Sequence, residues 1–332
     1  MLRKLRMPPL KYPWAHVPPA YPDYFAEEER QWLDEDYATF MSKEAVEKIK
    51  GHNLANGASW MAPTTTNIDH LRPIARFFLW LTLYDDYYER WPIDKISIER
   101  DRIINVLLGE TPKPTDTGLY RQIAKCRDEW LTYMPYEWIE RLARHMYRYT
   151  TYGIMEEAPY RREGRYPSLL RLSFLREYTI AMYPYGDMTE AGMNYMVPRH
   201  IMEHPVIMRL RALLCRIMAI QNDWYTLEKE MADDKFEVCN HILVLKHEHK
   251  ISLEEAIQEA ERIHNAYVDE MDAIKSDLPD FGIHQENIEN YVYHLTLSIT
   301  GLDDWYNGDT VRYIPSEFPK HIYQPASTDS GQ

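Results

Sequence analysis

Scarcities narrow what this chain can be. Three of its 332 residues are cysteine, Cys126, Cys215 and Cys239, widely spaced and without a CxxC pair, so reduced thiols are expected. Positive charge is also short: 38 Lys and Arg face 52 Asp and Glu, a net charge of −14 that speaks against nucleic acid as a partner. The longest apolar run, Phe77–Tyr84, falls far below the ~20 residues that span a bilayer. With a mean hydropathy of −0.55, no membrane span is expected. The opening MLRKLRM resembles the basic start of a signal peptide, but Pro8, Pro9 and Lys11 interrupt the apolar stretch that should follow. A cytoplasmic protein is the expectation. Alternating β-type segments and internal repeats are missing as well.

What the chain does have is helical periodicity and enough apolar material, 45% of residues, for a large core. The pattern predicts helices over about 67–90, 117–132, 136–152, 166–182, 205–231, 236–248, 252–276 and 284–306. Ser252 and Glu255 form a capping-box signature ahead of the stripe Leu253, Ile257, Ala260, Ile263, Tyr267, Met271 and Ile274. An all-α bundle follows. Residues 1–24 hold six of the 21 prolines and read as an extended strap. A single domain over 25–320 and a disordered tail over 321–332 complete the expected organisation. Pro184 and Gly186 in YTIAMYPYGD read as helix-terminating residues.

Two acidic strings end apolar stripes. Leu71, Ile74, Phe78 and Leu81 recur at steps of three and four, and Asp85 and Glu89 of DDYYE continue that face. Leu214 and Met218 lead in the same way into Asn222, Thr226 and Glu230 of NDWYTLEKE. Asn222 and Glu230 differ by about 80° around a helix axis. Carboxylates turned toward a core need a partner, a hydrogen bond or a cation. An amide oxygen, a hydroxyl and carboxylates form an oxygen-only donor set suited to magnesium rather than zinc.

This combination resembles the class I terpene synthases, particularly the bacterial single-domain cyclases. Asp85, Asp86 and Glu89 match their DDxxD/E motif, and Asn222, Asp223, Thr226 and Glu230 match NDxxSxxxE, with Thr for the commoner Ser. Arg176 lies 46 residues before Asn222, where these cyclases carry a diphosphate-sensing arginine, and Arg312-Tyr313 matches their terminal Arg-Tyr pair. The resemblance covers roughly residues 15–318.

It implies the α-helical terpene synthase fold and three magnesium ions. Asp85 and Glu89 would serve one pair of ions and Asn222, Thr226 and Glu230 the third, with Asp86 and Asp223 in support. It implies Arg176, Lys229, Arg312 and Tyr313 as donors to the diphosphate of a prenyl substrate, with farnesyl diphosphate favoured and geranylgeranyl diphosphate the alternative, and a broken helix near Ile180 and Ala181. Homodimers are common among similar enzymes. Magnesium bridging reconciles the acidic chain with a polyanionic substrate. Aromatic rings suit a carbocation, and Phe78 and Trp305 are the candidates among 26 Tyr, 9 Trp and 8 Phe. Two rival readings follow from other strings. His200, Glu203 and His204 spell the HxxEH of some zinc proteases, although Pro205 follows at once. Asp303-Asp304-Trp305-Tyr306-Asn307 approaches the second DDxxD of a chain-elongating isoprenyl diphosphate synthase without its final acid.

Overall fold

The computed structural model describes residues 7–88, 91–232 and 238–319. Among these it has no strand, and fifteen α-helices carry the architecture. In the first half they are α1 (Ala26–Glu35), α2 (Lys43–Ile49), α3 (Leu54–Met61), α4 (Ile68–Tyr88), α5 (Ile93–Leu107), α6 (Gly118–Trp130) and α7 (Tyr136–Arg148). A π-turn over Tyr149–Ile154 leads to α8 (Met155–Glu163), α9 (Leu169–Thr179), α10 (Met182–Met193) and α11 (Arg199–Met202). The rest are α12 (Pro205–Ala232), α13 (His241–His249), α14 (Leu253–Ser276) and α15 (Gln285–Gly308).

α12 is the long central element. Its stripe of Leu210, Leu214, Ile217 and Met218 is wholly buried, and the helix packs against α9, α10, α14 and α15. α4 buries Leu71, Ile74 and Leu81 against α3, α6 and α10. α15 and α3 approach closely because Gly301 has no side chain: a Cβ there would stand 1.8 Å from the Trp60 carbonyl oxygen. The capping box at α14 is formed, with Ser252 Oγ accepting from Glu255 N and Glu255 Oε2 accepting from Ser252 N. Residues 7–24 run along the bundle, where Trp14 Nε1 donates to Asp272 and Trp224 Nε1 donates to the Pro8 carbonyl. The tail expected to be disordered, residues 321–332, lies outside the described residues.

The helix break falls near Ile180 and Ala181, as the resemblance implied, and not at Pro184 and Gly186. Pro184 and Gly186 lie inside α10, where proline occupies the first turn and its missing N–H removes no helical bond. The chain turns earlier, at Ala181, whose φ of 60° and ψ of 19° are left-handed. That conformation costs a non-glycine residue about 1–2 kcal/mol. Ala181→Gly should therefore raise stability by about 0.5 kcal/mol, after the larger unfolded-state freedom of glycine is subtracted. Urea unfolding, read as a higher midpoint with unchanged slope, measures it.

Candidate active site

The ends of α4 and α12 bring the two oxygen-rich strings to one end of the bundle, and other segments supply their partners. On α4, Phe78, Thr82 and Asp85 are half-buried between fully buried neighbours, a water-accessible face running to the acidic end. Tyr149, the first residue of the π-turn, donates its hydroxyl to Asp85 Oδ1 at 2.6 Å. Burial first, and then the Asp85 charge, push the Tyr149 phenol well above its ordinary pKa, so it remains a donor. The next residue, Thr150, meets the Tyr84 hydroxyl at 3.2 Å. Asp86 is the more buried acid. Both its oxygens receive Arg312 Nη2, at 2.8 and 3.0 Å. Glu89 lies outside the described residues.

On α12, Arg176 Nη2 reaches across from α9 to Asn222 Oδ1 at 2.9 Å and Asp223 Oδ1 at 2.5 Å. The other Asp223 oxygen accepts from the His241 backbone N–H at 2.7 Å and faces His241 Nδ1 at 2.6 Å. Asn222 Nδ2 donates to the Tyr306 hydroxyl at 3.0 Å, and Asn240 Nδ2 donates to Glu230 Oε2 at 2.8 Å. Thr226 is only 3% exposed, yet its hydroxyl finds no hydrogen-bond partner among the described residues. A buried helical threonine ordinarily bonds back to a carbonyl one turn earlier. An orphaned hydroxyl between an amide oxygen and a carboxylate on one helix face is what a hard cation would satisfy. The Asn222 oxygen has a second lone pair beyond the one that Arg176 uses. These residues therefore fit a metal ion.

Basic groups lie close by. Arg312 is buried and its Nη1 has no partner among the described residues. Burial alone would lower its affinity for a proton, but the Asp86 charge outweighs that and keeps it firmly cationic. Lys229 Nζ lies 5.8 Å from the Tyr313 ring centroid, and Tyr313 meets Tyr306 edge-on at 5.0 Å. Arg176 also reaches Thr179 Oγ1, at 3.3 Å, beside the helix break. Phe78 stands edge-on to both Trp305 and Tyr185, with centroids 5.5 Å apart in each pair. Gly57 makes this possible: a Cβ there would lie 2.8 Å from Phe78 and 3.1 Å from Trp305. The Trp305 indole is fully buried and donates to the Asn53 carbonyl at 3.0 Å.

The sequence reading did not single out Tyr149, Tyr185, Asn240, His241 or Tyr306. Asn240 carried one signal, as the N-cap of α13. The HxxEH string does not assemble. Glu203 is held by Arg199 at 2.8 Å, and the one grouping of three potential ligand side chains among the described residues is His16, Asp303 and Asp304. The Asp303-Asp304 pair is engaged elsewhere, Asp303 by the Tyr225 hydroxyl at 2.7 Å and Asp304 by His16 at 3.0 Å.

An all-α bundle with two oxygen-donor strings and converging arginines has the form of a class I terpene synthase. Residues 76–270 match the family model described as terpene synthase family 2, C-terminal metal binding, and the chain belongs to that family. It is thus an enzyme of the carbon–oxygen lyase class acting on phosphates, with a metal-binding domain. It is 29% identical over 248 residues to a 10-epi-cubebol synthase of Sorangium cellulosum, covering 72% of this chain and 77% of the relative. A Roseiflexus castenholzii (+)-T-muurolol synthase, described as cyclising (2E,6E)-farnesyl diphosphate, is 27% identical over 252 residues, with coverage of 74% and 76%. The linalool/nerolidol synthase of Streptomyces clavuligerus, solved with 2-fluorogeranyl diphosphate, superposes with a TM-score of 0.77 at 17% identity, covering 90% of this chain and 99% of the other. The fold is shared at that distance. No described helix is long and apolar enough to cross a membrane.

The Arg312–Asp86 pair ties the segment after α15 to α4. Asp86→Asn removes the charge from a buried pair, a change that costs about 3–5 kcal/mol when nothing can rearrange. Undocking of the segment caps that loss. Hydrogen exchange should therefore rise at least about tenfold in residues 309–319 while the core amides of α12 keep their protection.

Proposed function

We propose that the chain is a magnesium-dependent terpene cyclase that ionises farnesyl diphosphate, releases diphosphate and closes the resulting carbocation into a cyclic terpene. The observation that carries this reading is the buried Thr226 hydroxyl, unpartnered between Asn222 and Glu230 and facing an end of the bundle where Arg176, Lys229 and Arg312 gather. Farnesyl diphosphate is favoured over geranylgeranyl diphosphate because the T-muurolol synthase relative is described as cyclising it.

Asp85 and Glu89 would hold one pair of ions, and Asn222, Thr226 and Glu230 a third. Bound magnesium supplies Lewis-acid stabilisation of the charge that builds on the leaving group. The chain's own residues do the rest. Arg176, Lys229, Arg312 and Tyr313 direct N–H and O–H donors at the diphosphate oxygens, and such preorganised donors act most strongly where water is excluded. Asp223 orients Arg176, and Asp86 orients Arg312. Tyr149 holds one Asp85 oxygen by a hydrogen bond and so fixes the orientation of that carboxylate. Phe78, with Tyr185 and Trp305 against it, offers ring faces that stabilise a cation without trapping it as a lone pair would. Chain elongation is disfavoured because Asp303 and Asp304 are already taken by Tyr225 and His16.

Purified protein should be incubated with magnesium and geranyl, farnesyl or geranylgeranyl diphosphate, and the extracts analysed by gas chromatography–mass spectrometry. A cyclic sesquiterpene from the farnesyl substrate, absent with EDTA, is expected. Linear alcohols alone, or condensation with isopentenyl diphosphate, would overturn the cyclase reading. Asn222→Ala and Glu230→Ala should each cut turnover by about 100-fold or more, and full turnover in both would remove the third-ion assignment.

A further inference from the structure

Beyond the Arg312–Tyr313 pair the chain folds back over α2. Lys48 Nζ donates to the carbonyls of Ser316 at 3.1 Å and Phe318 at 3.4 Å, and His52 Nε2 meets the Glu317 carbonyl at 3.2 Å. Three successive carbonyls are thus held by two side chains. Burial, and then the neighbouring Arg312 charge, lower the His52 pKa to about 3. Its ring is neutral at ordinary pH and donates through Nε2–H.

The grip delivers one ring to two cations. The Phe318 centroid lies 4.2 Å from Lys229 Nζ and 5.2 Å from the Arg312 guanidinium carbon, and the His52 ring stacks on it at 6.3 Å and 12°. Among the described residues Lys229 has ring contacts, to Phe318 and more distantly to Tyr313, and no carboxylate partner. Two like charges brought together repel each other. Asp86 already takes Arg312 Nη2, and a second carboxylate would relieve the repulsion only by occupying the remaining N–H groups and cancelling the charge. An aromatic face attracts both cations through its quadrupole and takes no conventional hydrogen bond from either. The unpartnered Arg312 Nη1 fits such a role.

We propose that Phe318 is a positioning residue for diphosphate: its ring holds Lys229 and Arg312 together as a pair of donors while leaving the Lys229 ammonium and the Arg312 Nη1 for the ligand. This rests on the diphosphate reading of the site. The test is isothermal titration of inorganic diphosphate, in excess magnesium chloride, into the full chain and its Phe318→Leu and Phe318→Tyr variants. Ligand-free thermal midpoints are measured alongside.

The expected result is binding about two- to fivefold weaker in Phe318→Leu, restored in Phe318→Tyr, with all three midpoints alike. Wild-type affinity in Phe318→Leu would overturn the proposal. So would a tyrosine variant as weak as the leucine one, which would make ring charge irrelevant, or a ligand-free midpoint several degrees lower, which would make Phe318 structural. If the wild-type chain does not bind magnesium and diphosphate, the diphosphate reading itself fails and this inference with it. Binding by the wild type with no loss in Phe318→Leu removes this inference alone.

Discussion

The carboxylate of Asp223 is the point on which the end of the bundle depends. One oxygen draws in Arg176 from α9, and the other takes the backbone and ring of His241 at the start of α13. A carboxylate that is 2% exposed is stable there because charged and polar donors surround it. Three helices are thereby aligned around one residue of α12. The neighbouring Asn222 and the Thr226 one turn further on inherit that alignment. If Asp223 lost its charge, Arg176 would keep only its neutral contacts to Asn222 and Thr179, and α13 would lose an anchor for its first turn.

The long helices were legible because their apolar stripes repeat at the helical period over many turns, as in α4, α12 and α14. The short ones were not. α3, LANGASWM, contains an Asn-Gly pair that reads as a turn, yet it is helical. Its first N–H groups are capped from another helix, since the Glu29 carboxylate accepts from Leu54 N at 3.2 Å and Ala55 N at 2.7 Å. Burial outweighs these bonds and raises the Glu29 pKa to about 7. α10 carries Pro184 and Gly186, but Asp187 and Glu190 bind Arg141, His145 and Arg211 in the interior and hold the helix in place. Long-range contacts of this kind override local propensity and leave no mark in a local pattern.

The same distinction applies to the site. Residues within the motifs could be named because oxygen donors at helical spacing carry chemistry in their order. Tyr149 and Tyr306 could not, because each is a common residue type brought in from a distant part of the chain. Arg312 was expected as a donor to a ligand, and its ion pair with Asp86 depends on a fold-back that spacing does not encode.

The π-turn at Tyr149–Ile154 has a meaning for how this chain can change over evolutionary time. A π-turn is one surplus residue absorbed by a helix. Loss of any one residue from that stretch would let α7 run on as regular helix, and every later side chain on the continuing helix would rotate by about 100°. Tyr149, which precedes the change, would keep its place beside Asp85 while the side chains of α8 turned away from their present alignment with it. A single-codon deletion there is therefore a larger event than most substitutions, because it moves a whole helix face relative to the acidic string without altering that string.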